Sequence, residues 1–435
     1  MFLSYRGMLL VKENALIMDF FDHLGLALPP REEEAVKTFV YGILVNHRAS
    51  IKNIAENTIQ GQNERQMNRI IHQVSSKARE MLLHNLQALQ KISTLAMRPS
   101  GVVSIDEHVI PKTGKHIEGV DYFYSTSENK EILGLSMINT HYYGGSFEYP
   151  IDCLLYRRLQ ELEKWGKQEL HVPKNEIARQ LIRSYHELGL PCKVWVMDSY
   201  FMTKENVKLL DTYDYSYVSK IKRNWVVTYQ RQRWSVGDLY ESIPETEFKQ
   251  IEAVNSKAKK KRYFLMAHRD VFISKIGEQR IIYLRELEKE PSGAFHEKYK
   301  SSWMCLVSNM LETSPKGILQ TYMKRWTIET SYRDESQELH LKGCMWRDIE
   351  GQYCFITLVF LAYRLLMWAS RLGLLSPYSP QVDTIGKKRE AFRRFHEQVF
   401  GEWITSLKQE CKKCAMAKVL YALIYRGTPH AIEHW

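Results

Sequence analysis

The run Val102-Val103-Ser104-Ile105-Asp106-Glu107 decides the reading, because residues suited to a sheet interior lead straight into a carboxylate. A second run, Val194-Trp195-Val196-Met197-Asp198-Ser199, has the same form. Short apolar, β-rich runs of this kind read as strands hidden in a sheet. A charge at the end of such a strand costs free energy unless it is paired or holds a ligand. One strand-end aspartate is more often a turn or helix cap. Two of them raise the expectation of a shared site at a sheet edge.

Working outward, three strands come first: Val102–Asp106, Ile132–Tyr142 and Phe147–Leu155, the last two joined by the turn Tyr143-Gly144-Gly145-Ser146. An amphipathic helix over Asn175–Leu188 follows, then a strand at Lys193–Asp198, a helix at Thr203–Leu210 and a strand at Tyr215–Lys220. The order β-β-β-α-β-α-β resembles the ribonuclease H fold. That fold class, an α/β ribonuclease H-like core, carries carboxylates at strand ends and on one later helix. Residues 219–303 hold short β-rich runs (Trp225–Tyr229, Tyr263–Ala267, Arg280–Leu284) and read as an inserted β subdomain. Helical patterning returns in one segment over Gly317–Leu341, in the apolar helix Tyr353–Trp368, and in a basic region over Ile385–Ile424. Residues 30–98 are helical by the spacing of Val36, Phe39, Val40, Ile43 and Leu44.

The expected organisation is therefore 1–98, a helical DNA-binding region; 99–218, the first part of the core; 219–303, the β insertion; 304–375, the second part of the core; and 376–435, a helical basic tail. In the first region Ser50 caps a helix, Gln60-Gly61-Gln62-Asn63 makes a turn, and Arg65 and Arg69 lie on a second helix. A DNA-reading helix-turn-helix and a plain helical hairpin both fit.

Composition narrows the class. At 435 residues, 44% hydrophobic and 26% charged, the chain suits several globular units and excludes fibrous or wholly disordered protein. The Tyr353–Trp368 run is interrupted by Arg364 and reads as a buried helix rather than a bilayer span. The first residues lack a clean secretory pattern, and an odd seven cysteines give no disulfide framework, so a cytoplasmic protein is expected. Cys411-Lys-Lys-Cys414 has metal-ligand spacing, but zinc would need two more ligands, for which His430 and His434 are weak candidates. A net charge of +11 favours a polyanionic partner.

The third carboxylate comes from the later helix. Tyr322, Arg325 and Glu329 lie three and four residues apart, so on a continuous helix they share one face. This spacing resembles the Y-x2-R-x3-E-x6-K signature of DDE transposases of the insertion-sequence-four group. Ser336 occupies the position of the terminal Lys, and Lys324, Arg333 or Lys342 is left to supply that cation. The similarity extends to Ile105-Asp106-Glu107 with Pro111–His116 and Gly119-Val120, and to Trp326-Thr327-Ile328-Glu329, covering about residues 99–370.

The resemblance implies a bacterial transposase that binds the inverted repeats of its own element, cuts, and joins the freed ends to target DNA. It implies Asp106, Asp198 and Glu329 as catalytic and metal-binding residues converging on two Mg²⁺ ions, with Mn²⁺ able to substitute. Glu107 competes with Asp106, although neighbouring strand residues point to opposite faces. Tyr322 and Arg325 are placed to grip a phosphate. Lys220, Lys222, Arg223, Arg231 and Arg233, interleaved with Trp225, Tyr229 and Trp234, suit backbone contact and base stacking, or a solvated β ribbon with core aromatics, and Trp303 suits a flipped base or the core. Lys257–Arg262 and Lys387–Arg394 are further basic runs. Paired transposon ends imply a homodimer on double-stranded DNA. The rival readings are a metal-dependent nuclease without strand transfer and an inactive DNA-binding derivative.

Overall fold

The computed structural model describes residues 14–58, 63–125, 128–254, 261–290, 293–298 and 302–410. Two compact units are formed, one from the residues up to Leu89 together with those from Asp334 onward, the other from Gln90–Arg333. The turn at Gln60–Gln62, most of the Lys257–Arg262 run, and Cys411, Cys414, His430 and His434 lie outside the described residues.

Among the described residues five helices come first: α1 (Ala15–Leu24), α2 (Pro30–Val45), α3 (Ile51–Asn57), α4 (Glu64–Ser75) and α5 (Ala78–Leu89). Ser50 caps α3 as expected, and Asn63 caps α4 in a reciprocal box with Gln66. The sheet unit then runs through β1 (Val102–Pro111), β2 (Asp121–Ser125), β3 (Lys130–Tyr143), β4 (Glu148–Tyr156), α6 (Leu159–Lys164), α7 (Lys174–Glu187), β5 (Val194–Met197), α8 (Lys204–Thr212) and β6 (Ser216–Lys220). It continues with β7 (Val226–Tyr229), β8 (Gln232–Ser235), α9 (Val236–Glu241), β9 (Lys249–Val254), β10 (Lys261–Ile273), β11 (Gly277–Lys289), β12 (Phe295–Glu297) and β13 (Met304–Ser308). Helices α10 (Pro315–Met323) and α11 (Trp326–Gln337) follow, and α12 (Ile349–Arg371) and α13 (Ile385–Glu410) complete the helical unit.

Strand pairing gives the ribonuclease H-like core. β4 pairs antiparallel with β3, β3 antiparallel with β1, β1 parallel with β5, and β5 parallel with β6. Two details differ from expectation. β2, a five-residue strand on β3, adds a fourth member to the antiparallel part. β1 does not end at Asp106 but runs on to Pro111 against β3; what ends there is its parallel pairing, because β5 is only four residues long.

The strands after β6 do not form a separate sheet. β13 pairs with β6, and the order continues β13-β11-β10-β7-β8, so thirteen strands among the described residues share one sheet. One apolar core crosses the junction. Val102, Val196 and Val218 from the parallel strands join Phe264, Ile282 and Leu306 from the later ones under Ile318, Leu319, Tyr322 and Met323 of α10. On the opposite face Trp195 meets Tyr185 of α7 edge to face, with ring centroids 5.1 Å apart.

In the helical unit α12 packs against α2, α4, α5 and α13. It is long and apolar enough to cross a membrane, yet every residue from Cys354 to Ala369 is buried within protein. Arg364 is tolerated there because its guanidinium donates to the Leu82 carbonyl at 2.8 Å and to Asn85 Oδ1 at 3.1 Å. The basic run of α13 also turns partly inward. Arg389 is buried and donates to the carbonyls of Leu44 and Asn46, so this side chain ties the unit together.

Candidate active site

Strand alternation sets which side chains can meet. Val102 and Val196 face α10, so Asp106 and Asp198, an even number of residues along each strand, emerge on that same face. They are also level with each other, one step beyond Ile105 opposite Met197, the last pair of the parallel ladder. Glu107 goes to the other face, where it accepts from Lys174 Nζ at 2.5 Å and from the Ser136 hydroxyl at 2.7 Å.

The helical part differs from the single helix expected. The chain breaks at Lys324–Arg325, between α10 and α11, where Arg325 N–H bonds to the Tyr322 carbonyl and Ile328 N–H to the Arg325 carbonyl in tight i to i+3 turns. Tyr322 therefore belongs to one helix, Arg325 to the turn, and Glu329 to the first turn of the next, where the helix dipole favours a carboxylate.

At this turn Arg325 reaches back to the sheet. One guanidinium nitrogen is 2.5 Å from Asp106 Oδ2 and the other bonds to Glu329. Burial pushes the Asp106 carboxyl up to about 7, with Asp198 and Glu329 adding to the rise and Arg325 and the Glu107 N–H opposing it. Burial acts to lower Arg325, but Asp106, Tyr322 and Glu329 outweigh it and its guanidinium stays firmly charged. Asp198 is oriented through Oδ1, which accepts from the Tyr200 and Phe201 N–H groups at 2.9 and 3.3 Å.

Asp106 and Glu329 thus meet on one guanidinium, with Asp198 close enough to help raise the Asp106 carboxyl. Among the described residues no group of three acidic, imidazole or thiol side chains is arranged to hold a metal ion; Asp106 and Glu329 are joined through Arg325. Tyr322 is buried in the core, 5.8 Å from the Arg325 guanidinium, which places it beneath that side chain rather than on an open surface. Burial raises its phenol to about 12. Lys220 lies at the same place: burial and Arg325 hold its ammonium below the usual range, while Asp198 and Glu329 oppose them.

The remaining candidates divide. Lys222, Arg231 and Arg233 are exposed, and Trp225 is half-buried. Gln230 and Arg231 form the two-residue loop between β7 and β8, both at positive φ (49° and 66°), which sets Arg231 at a hairpin tip. Trp303 is packed against neighbours: Tyr240 stacks on it at 4.1 Å and the Arg223 guanidinium lies 4.0 Å from its centroid. Arg333 is exposed at the end of the sheet unit, while Lys342, Arg65 and Arg69 are exposed in the helical unit.

Sequence reading missed three neighbours of the acids. Asn139 is the cross-strand partner of Asp106, His108 is two residues beyond Asp106 on the same face, and Tyr332 is one turn beyond Glu329. Those spacings were the available signal.

Two family models match the chain: a DDE superfamily endonuclease over residues 20–237 and a transposase DDE domain over residues 171–365. No curated protein matches it.

Proposed function

The chain belongs to the DDE superfamily of endonucleases and transposases, enzymes that act on DNA and depend on divalent metal ions, and on that premise we propose a cut-and-paste transposase of an insertion sequence. It binds terminal inverted repeats, cleaves there and transfers the freed 3′ ends to target DNA. What supports this reading is the Arg325 guanidinium bridging Asp106 and Glu329, with Asp198 near enough to raise the Asp106 carboxyl.

The donor set suits hard divalent cations. All three groups are carboxylates, and burial with mutual repulsion holds Asp106 near 7, an environment that a second positive charge relieves. Asp106, Asp198 and Glu329 are the proposed ligands and Mg²⁺ the proposed ion, with Mn²⁺ able to replace it. Bound there, two ions would activate a water or 3′-hydroxyl and stabilise the leaving oxygen of an in-line displacement.

The chain's own side chains do the rest. Asp198, fixed by its turn, and Asp106, fixed in the ladder, present oxygens from adjacent strands. Arg325 exchanges its acids for a phosphate, which its planar fork binds through two oxygens, and Tyr322 supports it from below. Lys220 adds positive charge at the same edge. The exposed Lys222, Arg231 and Arg233 track the DNA backbone, and two copies act together on two ends.

Asp198→Asn tests the assignment. It keeps volume and removes one charge, so inverted-repeat DNA should still bind while cleavage in Mg²⁺ disappears. Light scattering on that uncut complex should find two proteins with two DNA ends. Normal cleavage by Asp198→Asn would falsify the catalytic assignment.

A further inference from the structure

Glu329 is tied to the sheet twice. Four residues before it, Arg325 bonds both Glu329 and Asp106. Three residues after it, Tyr332 donates its hydroxyl to Asn139 Oδ1 at 2.5 Å and stacks on His108, with ring centroids 4.3 Å apart and planes 13° from parallel. Both Tyr332 contacts lie beside Asp106: Asn139 is its cross-strand partner, and His108 shares its face of β1. Asn139 and Tyr332 are buried, so this second tie is shielded from water, where a hydroxyl–amide bond holds best.

The two ties have different fates on the proposed reading. The first is made by a cation that must leave the acids if phosphate or metal is to replace it. The second is a hydroxyl–amide bond and a ring stack, and nothing in the reaction competes for it. We propose that Tyr332 is a positioning residue: with Asn139 and His108 it holds Glu329 level with Asp106 once Arg325 has let go. This rests on the reading of Asp106, Asp198 and Glu329 as metal ligands. Groups that orient ligands without touching the ion typically change metal affinity by ~10–100-fold when removed. Stacking and the hydroxyl bond should therefore be separable.

The test uses the full-length protein bound to inverted-repeat DNA, with Mn²⁺ binding followed by electron paramagnetic resonance and cleavage followed against Mn²⁺ concentration. Tyr332→Phe keeps the ring and loses the hydroxyl; Tyr332→Ala loses both. The half-saturating Mn²⁺ concentration should rise about threefold in Tyr332→Phe and about tenfold or more in Tyr332→Ala. DNA affinity should not change, and Tyr332→Phe should regain wild-type cleavage at saturating Mn²⁺. A lowered melting temperature with an unchanged Mn²⁺ midpoint in both variants overturns the proposal, since a merely structural tyrosine behaves that way. Asp198→Asn is the control that separates the two levels. If it leaves Mn²⁺ binding intact, the ligand reading fails and the Tyr332 role fails with it; if it abolishes binding while both Tyr332 variants bind normally, only the Tyr332 role falls.

Discussion

Arg157 and Arg325 both form an ion pair with a glutamate four residues on and a second pair with an acid elsewhere in the sheet unit. Arg157 grips Glu161 through two nitrogens, at 2.8 and 3.0 Å, and Glu118 through a third at 2.8 Å. Lys167 also binds Glu118, and the Gly119 N–H binds Glu161, so two cations meet two anions, and Glu118 Oε1 and both Glu161 oxygens are occupied. Around Arg325 two acids share one guanidinium, with a third, Asp198, and the partly buried Lys220 as charged neighbours. The first cluster leaves Glu161 3% and Glu118 8% exposed, whereas Glu329 is 33% exposed. The spacing Arg-x3-Glu therefore says little by itself. A surplus of carboxylates with access to solvent separates a site from a staple.

The strongest way to break this comparison is through chemistry. Glu329→Gln should lower single-turnover DNA cleavage by at least ~10³-fold, as loss of a group acting in a catalytic unit does. Glu161→Gln, compared at equal folded fraction, should cleave at the wild-type rate. Similar losses in both would place the site wrongly.

Stability should show the reverse order. Arg157→Leu leaves two nearly buried carboxylates without their partner, at a cost of about 3–5 kcal/mol. Arg325→Leu should cost about 1–2 kcal/mol, because Glu329 reaches water and Asp106 can take up a proton. Urea unfolding in chelator-containing buffer measures both, and equal costs would erase the distinction.

The pH response sharpens it further. The Asp106 carboxyl is raised from 3.8 to about 7 in the fold, so between those values the folded chain holds a proton that the unfolded chain has released. The contribution is thus greatest below pH 3.8 and is lost as pH rises through about 7. Metal-free Asp106→Asn should lose less stability than wild type over that window, and an unaltered profile would show that Asp106 is not the group responsible.

The smallest effects belong to the exposed hairpin. Arg231→Gln and Arg233→Gln should weaken DNA binding modestly and reduce the slope of log affinity against log salt by about one for each lost phosphate contact. Chemistry within the bound complex should be untouched. An unchanged slope would remove β7–β8 from the DNA surface.

Much of this was legible in advance for local reasons. Asp106 and Asp198 stood out because apolar runs lead to them, and period-two alternation placed Glu107 on the other face. Distant pairings were harder to read. β2 exposes Tyr122 and Tyr124 and buries only one side, so five residues gave little strand signal. Nothing near Met304–Ser308 shows that this strand pairs with Ser216–Lys220, which joins the insertion to the core sheet. The break at Lys324–Arg325 was hidden because a tight turn keeps the helical spacing of its neighbours, and a continuous helix would have met the same pattern. Tyr332 was overlooked for a related reason: its partners, Asn139 and His108, belong to strands far away in sequence.

The helical unit has a consequence for synthesis. Its core helix, α12, packs on α2, α4 and α5, yet Gln90–Arg333 must be made between them. At ~5–20 residues per second, the ribosome takes roughly ten to fifty seconds over that stretch. During that time α2 waits with Phe39 lacking its later partner Phe355, while the sheet unit can already close. An emerging chain should thus expose a binding site for holding chaperones on α2, and the helical unit can mature only after the residues of the carboxylate-bearing sheet have been synthesised.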